Sequence, residues 1–209
     1  MKNIFLKIIT SITVIFTLSA FVYADPSSNV SNDSVPVQLS VFKNFPRNPD
    51  VTGARVNLLY GKSANVKGVN FSVLGLSDVD NFTGLEYDVF FGANRVREKF
   101  TGASFGILNW HQGDDLGANF GGVNIVNNIF GANFGLVNLT TDTTGLNWSA
   151  VNISSKNSSA DIGFVNIAGH TTLFQFGLLN FSGHVTGLQI GLLNFAKNGF
   201  LPVFPIFNF

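Results

Sequence analysis

The chain has 209 residues, and its 12 Lys and Arg balance its 12 Asp and Glu, so the formal net charge is zero. A neutral chain lacks the basic face that offsets phosphate charge, which excludes a nucleic-acid partner. Charged residues are only 11% of the sequence, Phe occurs 23 times and Cys is absent, so part of the surface is either Asn, Ser, Thr and Gly or turned toward something apolar.

Lys2 and Lys7 give the chain a positive start, an apolar run extends from Ile8 through Val22, and Val22-Tyr23-Ala24 places small residues at a cleavage site. Residues 1–24 therefore read as a secretory signal peptide rather than a membrane anchor, for which the run is short. No Cys follows the run to carry a lipid or a disulfide. An exported chain without cysteine fits a Gram-negative envelope, with the outer membrane or cell surface expected and the periplasm as the alternative. Loss of Lys2 and Lys7 leaves ten basic against twelve acidic residues, a net charge of −2. Residues 25–36 are polar, carry Pro26 and Pro36, and read as a flexible leader. Residues 37–209 are expected to form a single β-repeat domain.

Repeats dominate that domain. Segments opening at Gly53, Gly68, Gly84, Gly102, Gly117, Gly131, Gly145, Ser159, Leu173, Gly187 and Leu201 align at spacings of 15, 16, 18, 15 and then 14 residues. The opening residue is position one. Position four is large and apolar, as in Phe71, Tyr87, Phe120, Phe134 and Trp148; position seven is apolar throughout. Position three is mostly polar, as in Arg55, Asn70, Glu86, Asn133 and Gln189, and position five is mostly Gly. Position eight is Asn109, Asn124, Asn138, Asn152, Asn166, Asn180, Asn194 and Asn208 in the last eight segments. With a degenerate copy at Pro36 to Phe42, the count is about twelve units. Gly and Asn are too frequent for helix interiors, and alternation with β-branched and aromatic residues marks strands.

Two all-β architectures fit the repeat. The favoured one is a tandem-repeat β-solenoid of about twelve short units, each one coil, in which the eight Asn stack as a ladder and positions two, four, seven and nine point inward. The constant period supports it. The alternative is an antiparallel twelve-stranded outer-membrane β-barrel, supported by the even unit count, the aromatic Phe209 and a period long enough for a membrane-spanning strand.

The units Gly187 to Asn194 and Gly131 to Asn138, the stretch Arg55 to Gly61 and the run Leu201-Pro202-Val203-Phe204-Pro205-Ile206-Phe207-Asn208-Phe209 resemble a bacterial family of exported surface-repeat proteins. Its members carry tandem G-L-Q-x-G-L-x-N units and a similar tail. The resemblance covers most of the chain after the signal. Departures are Gly75 and Phe91 in place of the repeat Asn, and Ser159 and Leu173 in place of the opening Gly. It implies a surface or outer-membrane setting and no particular activity.

No catalytic, cofactor or metal motif stands out. His170 and His184 occupy one place in adjacent units, but a metal needs a third ligand. Asp78, Asp80 and Asn81 read as an ordinary turn before a calcium site. Glu86 and Asp88 share a strand face and read as solvated, since a glycosidase pair needs a cleft. Arg95, Arg97 and Lys99 lie in the longest spacer, where a solvated loop competes with contact to anionic lipid or lipopolysaccharide. The apolar position six, Leu136, Phe164, Leu178 and Leu192, is a candidate outward stripe for a membrane or an envelope partner. The expected function is thus a non-enzymatic structural or binding role in the envelope. A barrel pore and a surface hydrolase are the other readings.

Overall fold

The computed structural model describes residues 34–209, so the signal peptide and residues 25–33 of the leader lie outside the described residues. The chain is a β-solenoid of about 11 turns. Its elements are β1 (Val35–Ser40), β2 (Asn44–Phe45), β3 (Asp50–Asn57), β4 (Tyr60–Ser72), β5 (Leu76–Asp88), β6 (Ala93–Trp148), β7 (Val151–Ile162), β8 (Val165–Val185), β9 (Leu188–Ala196) and β10 (Val203–Asn208). β-Structure runs on around the corners, so that β6 alone passes through several coils. The first strand begins at Val35, just inside the stretch expected as leader.

From β1 through β3 to β9 each neighbour pairs in parallel, residue on equivalent residue. Gly53 lies against Gly68, Gly68 against Gly84, Asn152 against Asn166 and Asn180 against Asn194. A barrel meander requires antiparallel neighbours, so the barrel alternative is overturned.

Among the described residues, antiparallel pairing occurs only at the two ends. β2 turns back on β1, and β10 turns back on β9 with Phe204 opposite Asn194 and Asn208 opposite Gln189. The unit opening at Leu201 is therefore not a twelfth stacked coil. Pro205, which has no N–H to give a ladder, marks a slip of register between Phe204 and Ile206, as Pro36 does in the parallel pair of β1 and β3 between Val35 and Val37.

The interior corrects a second expectation. Positions three and eight face inward, whereas the apolar positions two, four, seven and nine face outward, half-buried or exposed. Arg55, Asn70, Glu86, Ser104, Asn119, Asn133, Asn147, Asp161, Gln175 and Gln189 at position three are all fully buried. The main apolar cluster lies on the far side of the early coils, where Val51, Val66, Val79, Phe82, Val96 and Phe100 pack together and Phe82 stacks on Phe100 at 5.7 Å; Val126, Ile129 and Val185 are buried singly further along. In later coils that side becomes hydroxyl-rich, with Thr140 and Ser154 hydrogen-bonded at 2.7 Å.

Candidate functional site

Two ladders of side chains run through the solenoid and hold its narrow corner. At position eight, Asn109 donates to Asn124 Oδ1 (2.7 Å), Asn124 to Asn138 (2.8 Å), Asn138 to Asn152 (3.0 Å), Asn152 to Asn166 (2.9 Å), Asn166 to Asn180 (2.8 Å) and Asn180 to Asn194 (2.7 Å). The second amide hydrogen of most of them reaches the carbonyl of position four in the next coil, as in Asn152 to Ile162 O at 2.9 Å and Asn180 to Ile190 O at 3.0 Å. A buried corner carbonyl without a ladder partner is costly, and the Asn amide satisfies it. Asn208 stands outside this ladder because the tail is reversed, and donates to Leu201 O at 2.9 Å. The position-three ladder continues alongside, from Asn119 to Asn133 (3.0 Å), Asn133 to Asn147 (3.0 Å), Asn147 to Asp161 (2.9 Å) and Gln189 to Gln175 (2.8 Å).

Position five is Gly in most coils of the Asn ladder because the backbone oxygen of the coil below and the ladder amides crowd its space, with Ser149 the exception that bonds Asn152. A Cβ at Gly121 would meet Asn124 Oδ1 at 2.7 Å, and one at Gly177 would meet Asn166 Nδ2 at 2.6 Å. Where the Asn ladder is missing, in the early coils, position five carries Asn57, Ser72 or Asp88 instead. This exchange between positions five and eight is visible in the sequence, but only once both are known to share the interior.

The interior being polar, the apolar residues are displayed. Of the expected stripe, Leu136 is 69% exposed, Phe164 65%, Leu178 54% and Leu192 66%. They sit at the apex of the corner, with Ile107 continuing the row. On the wall before the apex, position four forms an outer aromatic column in which Phe105, Phe120 and Phe134 stack at 4.7 and 4.9 Å and Trp148 follows at 6.2 Å. On the wall after it, position nine carries Trp110, Ile125, Ile153 and Ile167, and Phe181 stacks on Phe195 at 4.5 Å.

Charge is segregated from this edge. From Gly53 onward the charged residues within positions one to nine, Arg55, Glu86, Asp88 and Asp161, bury their charged groups. The others, such as Lys67, Arg97, Lys156 and Lys197, lie beyond position nine, on the opposite limb of the coil.

Asp78 is not a calcium ligand in waiting: it accepts from Arg95 Nε (3.0 Å), Arg97 Nε (2.9 Å) and Arg97 Nη2 (2.7 Å), and also from Arg95 Nη2. These bonds hold its carboxyl below the ordinary range against the opposing effect of burial. Arg95 and Arg97 stand on β6 rather than in a loop, neutralise Asp78 and are not free for an anionic lipid; Arg95 also lies over the Trp110 ring at 5.3 Å. His170 and His184 do lie side by side in adjacent coils, their rings edge to face with centroids 5.0 Å apart. Among the described residues no group of three or more His, Cys, Asp or Glu is placed to share a metal ion.

Glu86 and Asp88 are not a solvated pair. Glu86 is sealed in the interior, 3.8 Å from His111, which contacts Asp115 Oδ2 at 2.6 Å. Burial pushes the Glu86 carboxyl up to about 7. Burial, with the repulsion of Glu86, pushes Asp88 up to about 8. An unfolded chain releases these protons near pH 4, so the folded state binds more protons between about pH 4 and 8 and its stability falls as pH rises through that window. Thermal unfolding followed by circular dichroism should show a melting temperature that declines from pH 5 to 8.5. The double variant Glu86→Gln/Asp88→Asn should flatten the decline, and a rise with pH would contradict the assignment.

The described residues form two open hollows at the ends of the solenoid. One, of about 460 Å³, is lined by Lys43, Arg47, Tyr60 and Lys62; the other, of about 390 Å³, lies between Ile167, Phe181, Phe195 and Pro202. Neither includes the buried carboxylates. Comparisons with family models, curated proteins and solved structures find no match to this chain.

Proposed function

We propose that the chain is an exported, non-enzymatic repeat protein with a structural or binding role in the bacterial envelope, acting through the apolar edge of its solenoid. The carrying observation is the outward apolar edge, apex row and flanking walls, interrupted at the apex only by the small Gly122 and Ala150 and met by one charged group, Arg95 over Trp110. Exposed apolar surface of this extent marks a contact surface. The signal-like segment at residues 1–24, and the resemblance of the repeat and tail to exported surface-repeat proteins, support the setting.

Fractionation of a Gram-negative host expressing the full chain tests this. The expected result is a shortened form, about 24 residues lighter as the signal-peptide pattern requires, recovered with the envelope. Full-length protein in the cytoplasm would overturn it.

A further inference from the structure

Resting on that envelope reading, we infer that the apolar edge is a wedge that inserts into one leaflet of a lipid bilayer, with the position-six row pointing to the hydrocarbon midplane and the charged limb left in water.

The first reason is shape. A protein partner covers one face, but the apolar surface wraps a convex corner: position four on one wall, position six at the apex, positions seven and nine on the other wall. A second copy seated on either wall would leave the other in water. A fluid apolar medium covers both at once.

The second is depth. Three to four residues separate the apex from the polar end of each wall, and at about 3.3 Å per residue the wedge is about 10–13 Å deep. One leaflet supplies about 15 Å of hydrocarbon.

The third is the backbone. Lipid tolerates no unpaired N–H or C=O. Here the coils bond to one another along the axis, the corner carbonyls take the Asn amides, and at the ends β2 pairs with Leu39 and Ser40 and β10 with β9 between Gln189 and Phe195. The polar side chains within the wedge are turned inward: the Asn and Gln of the later coils bond one another in ladders, and Arg55, Glu86, Asp88 and Asp161 bury their charged groups. Among the described residues no helix is long and apolar enough to cross a membrane, so the contact belongs to the sheet edge.

The fourth is the inversion itself. From Asn138 to Asn194 the fully buried residues are almost all Asn, Gln, Asp, Ser, Thr and Ala. Interior burial supplies little hydrophobic stabilisation there, and lipid supplies it from outside.

The two tryptophans make the test direct, since Trp110 and Trp148 lie on opposite walls. Purified signal-free protein is mixed with uncharged phosphatidylcholine vesicles at 0.5 M salt and floated on a gradient. Bromine-labelled lipids then quench each Trp in the Trp110→Phe and Trp148→Phe variants. The expected result is flotation, quenching of the remaining Trp in both variants, and at least a tenfold loss of partitioning in Leu136→Lys/Leu178→Lys/Leu192→Lys. These sites are exposed, and an unchanged circular dichroism spectrum confirms that the triple variant folds. Protein that stays in the buffer as a dimer would overturn the inference in favour of a second copy. Flotation only on anionic vesicles at low salt, without quenching, would overturn it in favour of surface adsorption. Either failure, with the chain still recovered in the envelope fraction of cells, would leave the envelope role standing and remove only the lipid wedge.

Discussion

Asn152→Ala will destabilise the protein by about 3–5 kcal/mol, near the upper limit for a single substitution. The amide makes four hydrogen bonds: it accepts from Asn138 Nδ2 (3.0 Å) and Ser149 Oγ (2.7 Å), and donates to Asn166 Oδ1 (2.9 Å) and Ile162 O (2.9 Å). Truncation leaves the ladder broken on both sides and a corner carbonyl without a partner. Each buried group so orphaned costs about 1–3 kcal/mol. Water does not reach the site, since Asn138, Asn152 and Asn166 are fully buried. The control is Asn208→Ala. The same residue type at the same repeat position bonds only Leu201 O and the Phe209 N–H, so a loss of about 1 kcal/mol is expected. Urea unfolding reads both. Equal losses would mean that the ladder contributes nothing beyond single hydrogen bonds.

Gly131→Ala should cost about 3 kcal/mol or more. Gly131 has a φ of 150°, and a Cβ there would lie 1.8 Å from the carbonyl oxygen of Gly117 in the coil below. Nothing flexible can yield, because that oxygen belongs to the stacked backbone. The same geometry recurs from Gly53 to Gly145. It ends where Ser159 and Leu173 replace Gly, and there the register slips between Ser158 and Ala160. Gly122→Ala is the comparison. Gly122 sits at position six, where a Cβ would meet Ile107 O at 3.1 Å and where Ala150 already stands in another coil. A change below about 1 kcal/mol is expected there. If Gly122→Ala were the more damaging, coil stacking at position one would not be the constraint described.

The repeat and its spacing are legible because period is independent of sidedness, and the constant period favours parallel stacking over the barrel meander. A fixed fourteen-residue spacing places Asn152 over Asn166 whichever way the side chains turn. Sidedness was not legible. Alternation shows that Asn133 and Phe134 face opposite ways, but not which of them is inside. Placing Phe134 and Trp148 inward follows the rule for a chain whose whole surface meets water, and the polar ladders reverse it. Leu136, Phe164, Leu178 and Leu192 are exposed, as an outward row requires, but their flanking walls are not legible, because positions four and nine read as core. Glu86 was read as solvated for the same reason. The reversal of the tail is not legible, because Phe207-Asn208 fits the unit pattern and proline stands in a parallel strand, at Pro36, as well as in the reversed one, at Pro205.

The antiparallel strands at the two ends have a consequence for growth. An open parallel coil is a template on which another copy, or a run of copies, can add; at both ends of the described residues β2 and β10 turn back antiparallel and interrupt that parallel template. The length of the rod is then set by the number of units written into the chain rather than by concentration or assembly time. Duplicating one fourteen-residue unit between the stops would lengthen the rod by a single step of about 4.8 Å and leave both ends as they are. The molecule is in that sense a ruler with fixed end-stops, and its contact edge is graduated one coil at a time.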